Sequence, residues 1–388
     1  MLVTYKYRLK PAKCQLPLLY QFTGCSRYVY NQALAEFKTQ GQMLSWYNQN
    51  AKLVALKKQL VWLRSAHSQV LQLALRDLDL AYKAYVKMVK VDPSTKLHYR
   101  KRGLNDSFRY SQNIKVRNST IYLPKIGWVR YIDTRPVTGK IKQCTVKREG
   151  LYWYICLACE VPIFETVKVN NVLGLDLGLK QFATLSDGST VDNARPLEKQ
   201  LHKLRLVQRR LSRKAKGSYN KAKQRLKVAK VHAKIRNCRQ DYLHKISTAL
   251  VKNHDAVTVE GLHVQDMLKN KYLSRSVSDA GWSTFINMLK YKCTLYGKHF
   301  IQLDQYLATT KTCSACGSVQ DMPLHIRTYK CDCGLVLDRD YNAALNIQRA
   351  GLAQLACGAL PVTISAQEPT KVLSTVGIPV VNHGEDAN

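Results

Sequence analysis

The chain has 388 residues, 46% of them hydrophobic, enough to bury a sizeable core in two or three domains and to exclude a disordered basic protein. Its 61 Lys and Arg against 26 Asp and Glu give a formal net charge of +35, far beyond a solubility surface, and imply a polyanionic partner. No uninterrupted apolar run of about 18 residues appears and the opening residues do not form a signal peptide, so the sequence favours nucleic acid in the cytosol over a membrane, with the twelve cysteines as reduced thiols.

Residues 1–11 (MLVTYKYRLKP) alternate as a strand. Helical pattern then runs to about residue 90, clearest where Leu71, Leu75, Leu78, Tyr82, Tyr85 and Val89 share one apolar face. From about residue 111 the period becomes two, through Ile114 and Val116, Ile121 and Leu123, and Val129 and Tyr131, to a hairpin about Arg148-Glu149-Gly150. The first strand has no local partner, so it is expected to join this later sheet and to make the helical segment an insertion. Cys156 and Cys159 share a strand and point to opposite faces, which marks them as packing residues.

A third region opens on the strand VLGLDLG around Asp176 and a second strand that turns at Asp187-Gly188. Residues 199–245 predict two long helices with a break near Gly217-Ser218. They carry seventeen Lys and Arg against one acid, Asp241. A solvated helical face normally mixes signs, so Lys203, Arg209, Arg210, Arg213, Lys214, Arg225, Lys234 and Arg239 are candidate nucleic-acid contacts. A strand ends at Glu260, Ser278 and Asp279 suit the cap of a helix running from Gly281, and a short strand covers Phe300 to Leu303. A last helix is expected from about Asp340 to Ala350. The tail from Ala356 lacks any period and is expected to be mobile or weakly docked.

Cys313 and Cys316 form one knuckle and Cys331 and Cys333 a second, fourteen residues on. Four thiolates on tight turns match the tetrahedron that zinc prefers, and a closed four-sulfur site leaves no place for water, so one structural Zn²⁺ is expected. His325 is the alternative ligand. Asp176 and Glu260 sit in buried strand patterns with no local cation to explain them, whereas Asp340, opening a helix, also fits a cap. Together the three suit ribonuclease-H-like geometry, in which clustered carboxylates hold two Mg²⁺ or Mn²⁺ ions for phosphodiester hydrolysis.

The motifs GLDLG, VTVEGL, KTCSACG, CDCG and DRDYNAALNI, with YKYRLKP, RYVYNQAL, LPKIGWVR, RQDYLHKIS and SVSDAGW, resemble the TnpB (OrfB) family, insertion-sequence-encoded RNA-guided DNA endonucleases related to type V CRISPR effectors. The resemblance covers nearly the whole chain. It implies an α+β multidomain fold: a β-barrel-like wedge domain (1–11 and 105–168) with an inserted helical recognition domain (12–104), then a ribonuclease-H-like RuvC α/β nuclease domain (169–305 and 335–355). A zinc-ribbon target-nucleic-acid-binding insertion (306–334) and a C-terminal tail (356–388) complete it. It assigns catalysis and Mg²⁺ binding to Asp176, Glu260 and Asp340, preferring Asp340 over Asp338. It also implies a guide RNA from the transposon end, a double-stranded DNA target, a monomer with one RNA, and a cytoplasmic, nucleoid-associated prokaryotic setting. The second knuckle is CxC where many relatives have CxxC. Residues 92–107 lack the family's usual Gly-Phe-Pro-Arg-Phe stretch, for which Tyr99-Arg100-Lys101-Arg102 is the candidate replacement. Two other functions compete: an RNA-guided repressor that does not cut, against which all three acids are present, and a strand-transferring transposase, against which no separate helix-turn-helix is legible.

Overall fold

A computed structural model describes residues 1–103, 106–323 and 325–357, so nearly all of the tail from Ala356 lies outside the described residues. The chain divides into two compact units at Pro162 and Ile163.

In the first unit, β1 (Leu2–Lys10) leads into three helices, α1 (Gln15–Gln40), α2 (Trp46–Gln59) and α3 (Ser68–Val89). Gly41 ends α1 in the left-handed conformation, φ 72°, its N–H closing on the Phe37 carbonyl. Ser45 opens α2 by accepting from the Asn48 N–H. On α3 the apolar stripe is core only in its first half. Leu71, Leu75 and Leu78 are buried, while Tyr82, Tyr85 and Val89 are half-exposed.

Six strands follow: β2 (Ser107–Tyr110), β3 (Lys115–Arg117), β4 (Thr120–Leu123), β5 (Gly127–Ile132), β6 (Lys140–Glu149) and β7 (Tyr152–Glu160). With β1 they form one antiparallel sheet in the order β2-β6-β7-β1-β5-β4-β3. The first strand therefore sits mid-sheet between β7 and β5, and the helices are an insertion between β1 and β2, an edge strand three places away in the same sheet. The sheet is open, with β2 and β3 as its edges. Cys156 and Cys159 face opposite sides of β7, half-exposed and buried respectively.

Arg100 differs from its expected role as a basic contact. Its guanidinium pairs with Asp77 at 2.8 Å and lies over the Tyr30 ring, and its peptide N–H and carbonyl both bond to Asn31. A side chain so engaged holds the linker between helices and sheet instead of reaching for phosphate.

The second unit begins with β8 (Val172–Leu177), β9 (Gln181–Leu185) and β10 (Thr190–Asp192), then the basic helices α4 (Pro196–Ser212) and α5 (Tyr219–Asn253). After them come β11 (Ala256–Val259), α6 (Val264–Lys269), α7 (Ser274–Ala280), α8 (Trp282–Leu295), β12 (His299–Gln302), a ribbon of β13 (Thr328–Lys330) and β14 (Val336–Asp338), and α9 (Arg339–Cys357). The main sheet runs β10-β9-β8-β11-β12. The first three strands are antiparallel, while β8, β11 and β12 are parallel. Because β8 and β11 are central and covered, they are buried at every residue and apolar except at Asp176 and Thr258.

One expectation fails here. Asp279 lies inside α7 and does not cap the helix after Gly281. Its carboxylate instead accepts the N–H groups of Leu197 and Glu198, at 2.9 to 3.4 Å, at the start of α4. That end needs an outside partner, because Arg195 before it is left-handed, φ 45°, and offers no side-chain cap.

Candidate metal centres and nucleic-acid interface

Strand register brings the first two acids together. Val259 on β11 pairs with Leu175 on β8, so Glu260 and Asp176 stand side by side, one residue further along parallel strands. The period of two places Gly174 and Asp176 on one face of β8, and Thr258 and Glu260 on the same face of β11. Helix α9 lies on that face, and two glycines permit its approach. A Cβ at Gly174 would stand 2.6 Å from the Gln348 nitrogen, and one at Gly351 2.8 Å from the Thr258 methyl. The third acid, Asp340, is in the first turn of α9.

The DRD triplet contains two acids, and hydrogen bonding separates their roles. Asp338 Oδ1 accepts the N–H groups of Asp340 and Tyr341, at 2.9 and 3.2 Å, and so caps α9. Asp340 is released from that task. Its carboxylate lies 3.6 Å from the Arg327 guanidinium and 3.5 Å from that of Arg339.

The electrostatics are those of a cluster only partly neutralised by its two arginines. Burial raises the Asp176 carboxyl well above its ordinary range, and the charges of Glu260 and Asp340 raise it further; Arg339 only partly opposes this. Glu260 is pushed up to about 7, chiefly by burial and also by Asp340, against the lowering effect of hydrogen bonds from Asp176 and the Leu177 N–H. Such a group of oxygens fits hard divalent cations, which would remove the repulsion. The three carboxylates stand wider than the thiols: among the described residues, only the four cysteines have three or more ligand atoms all within 4.8 Å of one another.

In the thiol cluster, the Cys313 and Cys333 sulfurs are 3.7 Å apart and those of Cys316 and Cys331 3.6 Å. Disulfides are far shorter, about 2.05 Å. A tetrahedron with Zn–S bonds of about 2.3 Å has edges of about 3.8 Å, close to what is found. The shortened second knuckle therefore still delivers both of its sulfurs. His325 is exposed and outside the cluster. Hydrogen bonds from Ser318 draw Cys316 down to about 6 and also lower Cys331. Cys333 is pushed up to about 12, its Leu335 N–H bond outweighed by neighbouring thiols and burial. Ser318, unmarked in the sequence, stands between the knuckles, 3.1 Å from Cys316 and 3.3 Å from Cys331.

The basic helices pack through a small seam of Leu204, Val207, Val231 and Ile235, which leaves their charges outside. Lys203, Arg209, Arg210, Arg213, Lys214, Arg225 and Lys234 are all exposed. At the elbow between α4 and α5 a cleft of about 520 Å³ is walled by Arg210, Arg213, Lys214, Lys223 and Lys227, with no acid among its lining residues. Arg239 is different: its guanidinium donates to the Asp279 carboxylate and backbone carbonyl, both at 2.9 Å. Charge runs do not reveal which cation turns inward.

Comparison with known proteins follows the same outline. A protein of Streptomyces pristinaespiralis, provisionally named an RNA-guided DNA endonuclease, is 37% identical over 371 residues, covering 91% of this chain and 90% of its own length. InsQ of Escherichia coli K12, with the same provisional description, is 35% identical across 96% of this chain and 98% of its own. The chain belongs to the TnpB (OrfB) family. Within it, residues 154–271 match the family model for OrfB of IS605, described as a probable transposase, and residues 282–347 match the Cas12f1-like TNB domain. The TnpB fold also resembles the Cas12f1 chain of a Cas12f1–sgRNA–target DNA complex, with a TM-score of 0.58 at 15% identity, covering 90% of this chain and 98% of that one. Residues 1–42 match a model described as a helix-turn-helix domain, yet here they form one strand and one unbroken helix. Among the described residues no helix is long and apolar enough to cross a membrane.

Proposed function

We propose that this TnpB-family chain is an RNA-guided DNA endonuclease of a transposable element, with Asp176, Glu260 and Asp340 as its catalytic acids. The carrying observation is the convergence of two strand-borne carboxylates and one helix-borne carboxylate on the face of β8 and β11 covered by α9. The strand order, with its antiparallel half and parallel half, supports a ribonuclease-H-like RuvC core, proposed to span 169–305 and 335–355. Residues 306–334 would be its zinc-ribbon insertion, 1–11 and 105–168 the wedge, and 12–104 the recognition helices.

Two Mg²⁺ or Mn²⁺ ions held by the three acids would activate water and stabilise the leaving oxygen of a phosphodiester. The chain's own part is to hold these acids rigidly. Parallel pairing fixes Asp176 beside Glu260, and the Asp338 cap leaves the Asp340 carboxylate available. One zinc on Cys313, Cys316, Cys331 and Cys333 would be structural. The exposed cations of α4 and α5 would hold nucleic-acid phosphates. A guide RNA from the transposon end would read the DNA target by base pairing, with one RNA per protein monomer.

The test is to purify the protein from its native context, sequence the co-purifying RNA, and offer the complex a plasmid carrying the matched target with Mg²⁺. A discrete RNA ending in variable sequence, together with guide-dependent cleavage, is expected. Target binding without cleavage would replace this reading with a repressor, and strand-transfer products from a donor carrying the element ends would replace it with a transposase.

A further inference from the structure

Helix α9 carries Asp340 at one end and grips the first cysteine knuckle along its side. Asn342, fully buried, donates from Nδ2 to the Thr312 carbonyl at 2.8 Å and accepts the Ser314 N–H at 2.9 Å, bracketing Cys313 on both sides. One turn on, Asn346 donates to the Thr309 and Thr312 carbonyls at 2.8 and 2.6 Å, and Arg349 donates to the Ser314 carbonyl. The spacing of four and three residues puts all three on one helix face. At the start of α9 the Arg339 N–H bonds to the Arg327 carbonyl at 2.7 Å, and its guanidinium reaches the Ile326 carbonyl at 3.2 Å. Arg327 itself turns its guanidinium to Asp340.

This junction is polar where a helix would ordinarily be held by apolar packing. Asparagine is a poor helix former, and a buried amide that loses its partners is left unsatisfied. The middle and end of α9 are fixed on the sheet at Gly174 and Gly351, whereas its first turns are fixed by the backbone of the knuckle. Zinc on the four sulfurs would tie that backbone to a single path, since binding at a thiolate site is coupled to the folding of the loops that carry it.

Building on the metal-dependent reading above, we infer that Asn342 and Asn346 are positioning residues that couple the two metal centres, so that zinc on the cysteines strengthens divalent-cation binding at the acids through α9. Coupling of this kind is reciprocal. The full-length protein would be titrated with Mn²⁺ and followed by electron paramagnetic resonance, zinc-loaded and zinc-depleted, with Asp176→Asn identifying the ions bound at the acids. Zinc-loaded protein should bind Mn²⁺ about tenfold more tightly. Asn342→Ala and Asn346→Ala, each checked for an intact tetrathiolate spectrum with Co²⁺ in place of zinc, should lose most of that factor although their cysteine site stays filled. A residue that merely stabilised the fold would lower the melting temperature and leave the Mn²⁺ affinity of the zinc-loaded protein unchanged. Equal Mn²⁺ affinity with and without zinc, or wild-type affinity in both loaded variants, overturns the coupling alone. Absence of Mn²⁺ binding sensitive to Asp176→Asn in zinc-loaded protein overturns the acid-centre reading, and the coupling with it.

Discussion

Two sets of buried or half-buried carboxylates, one in each unit of this protein, have opposite surroundings. In the first, they are matched to cations: Asp106 lies between Arg27 at 3.0 Å and Arg148 at 3.4 Å, Asp77 between Arg100 and Arg109, and Glu149 beside Lys6 and Lys147. In the second, Asp176 and Glu260 are gathered against each other and against Asp340, whose two nearby guanidiniums, Arg327 and Arg339, only partly offset the repulsion. The chemical groups are the same, and even partial burial is common to both. A carboxylate buried with its counter-ion is satisfied by the fold, whereas a cluster of like charges is satisfied only by something the chain must acquire.

The largest difference between the units should be seen when acid is changed to amide. Asp176→Asn, Glu260→Gln or Asp340→Asn is expected to reduce guide-dependent plasmid cleavage at least about 10³-fold, roughly 4 kcal/mol in the barrier, with guide binding retained. Near wild-type cleavage by any one of them would remove that acid from the centre. Asp106→Asn should act on stability instead. It leaves two arginines without their buried counter-charge, and urea unfolding should register a loss of about 3 kcal/mol.

These contrasts were unequally legible in the sequence. Asp176 and Glu260 stood out because apolar strand residues flank them where a charge is costly, and the mid-sheet position of β1 followed from an alternating strand with no local partner. Asp279 was misread because an acid just before a helix resembles its own cap, while its actual partners, the start of α4 and Arg239, lie about 80 and 40 residues away. Arg239 and Arg100 were indistinguishable from exposed cations for the same reason. Periodicity reports which face is buried and charge counts report sign; neither reports which distant group a long side chain meets.

The pH dependence of stability should separate the units by sign. Glu149 is held down to about 2, with hydrogen bonds and charge from Lys147 and Lys6 prevailing over burial, so its contribution is present above about 4.5 and lost as pH falls towards 2. Glu260 is raised to about 7, chiefly by burial, so its favourable contribution is complete below about 4.5 and lost as pH rises through 7. Each amounts to about 2 kcal/mol after allowing for residual solvent screening. In EDTA, the stability difference between wild type and Glu149→Gln should grow from pH 2 to 5, whereas that between wild type and Glu260→Gln should shift against the wild type from pH 5 to 8. Mg²⁺ at pH 8 should reverse the second effect and leave the first untouched. A Glu260→Gln profile parallel to the wild type in EDTA would mean that the cluster is not strained.

The smallest expected effect concerns the two acids of the DRD triplet. Asp338 accepts the first N–H groups of α9, so Asp338→Ala should lower stability by about 1 kcal/mol, the usual worth of an N-cap. Asp340 makes no cap bond among the described residues, and its neighbours are both acids (Asp176, Glu260) and cations (Arg327, Arg339), so Asp340→Asn removes repulsion and attraction together and should change metal-free stability by less than Asp338→Ala. Thermal melts in EDTA measure both. If Asp340→Asn costs the larger amount, the helix-capping role belongs to Asp340 and the division of labour within the triplet is reversed. If Asp338→Ala costs the larger amount, the triplet is one acid that holds the helix and one that the helix holds out to the metal, two residues apart in the same sequence and on opposite sides of the comparison between the units.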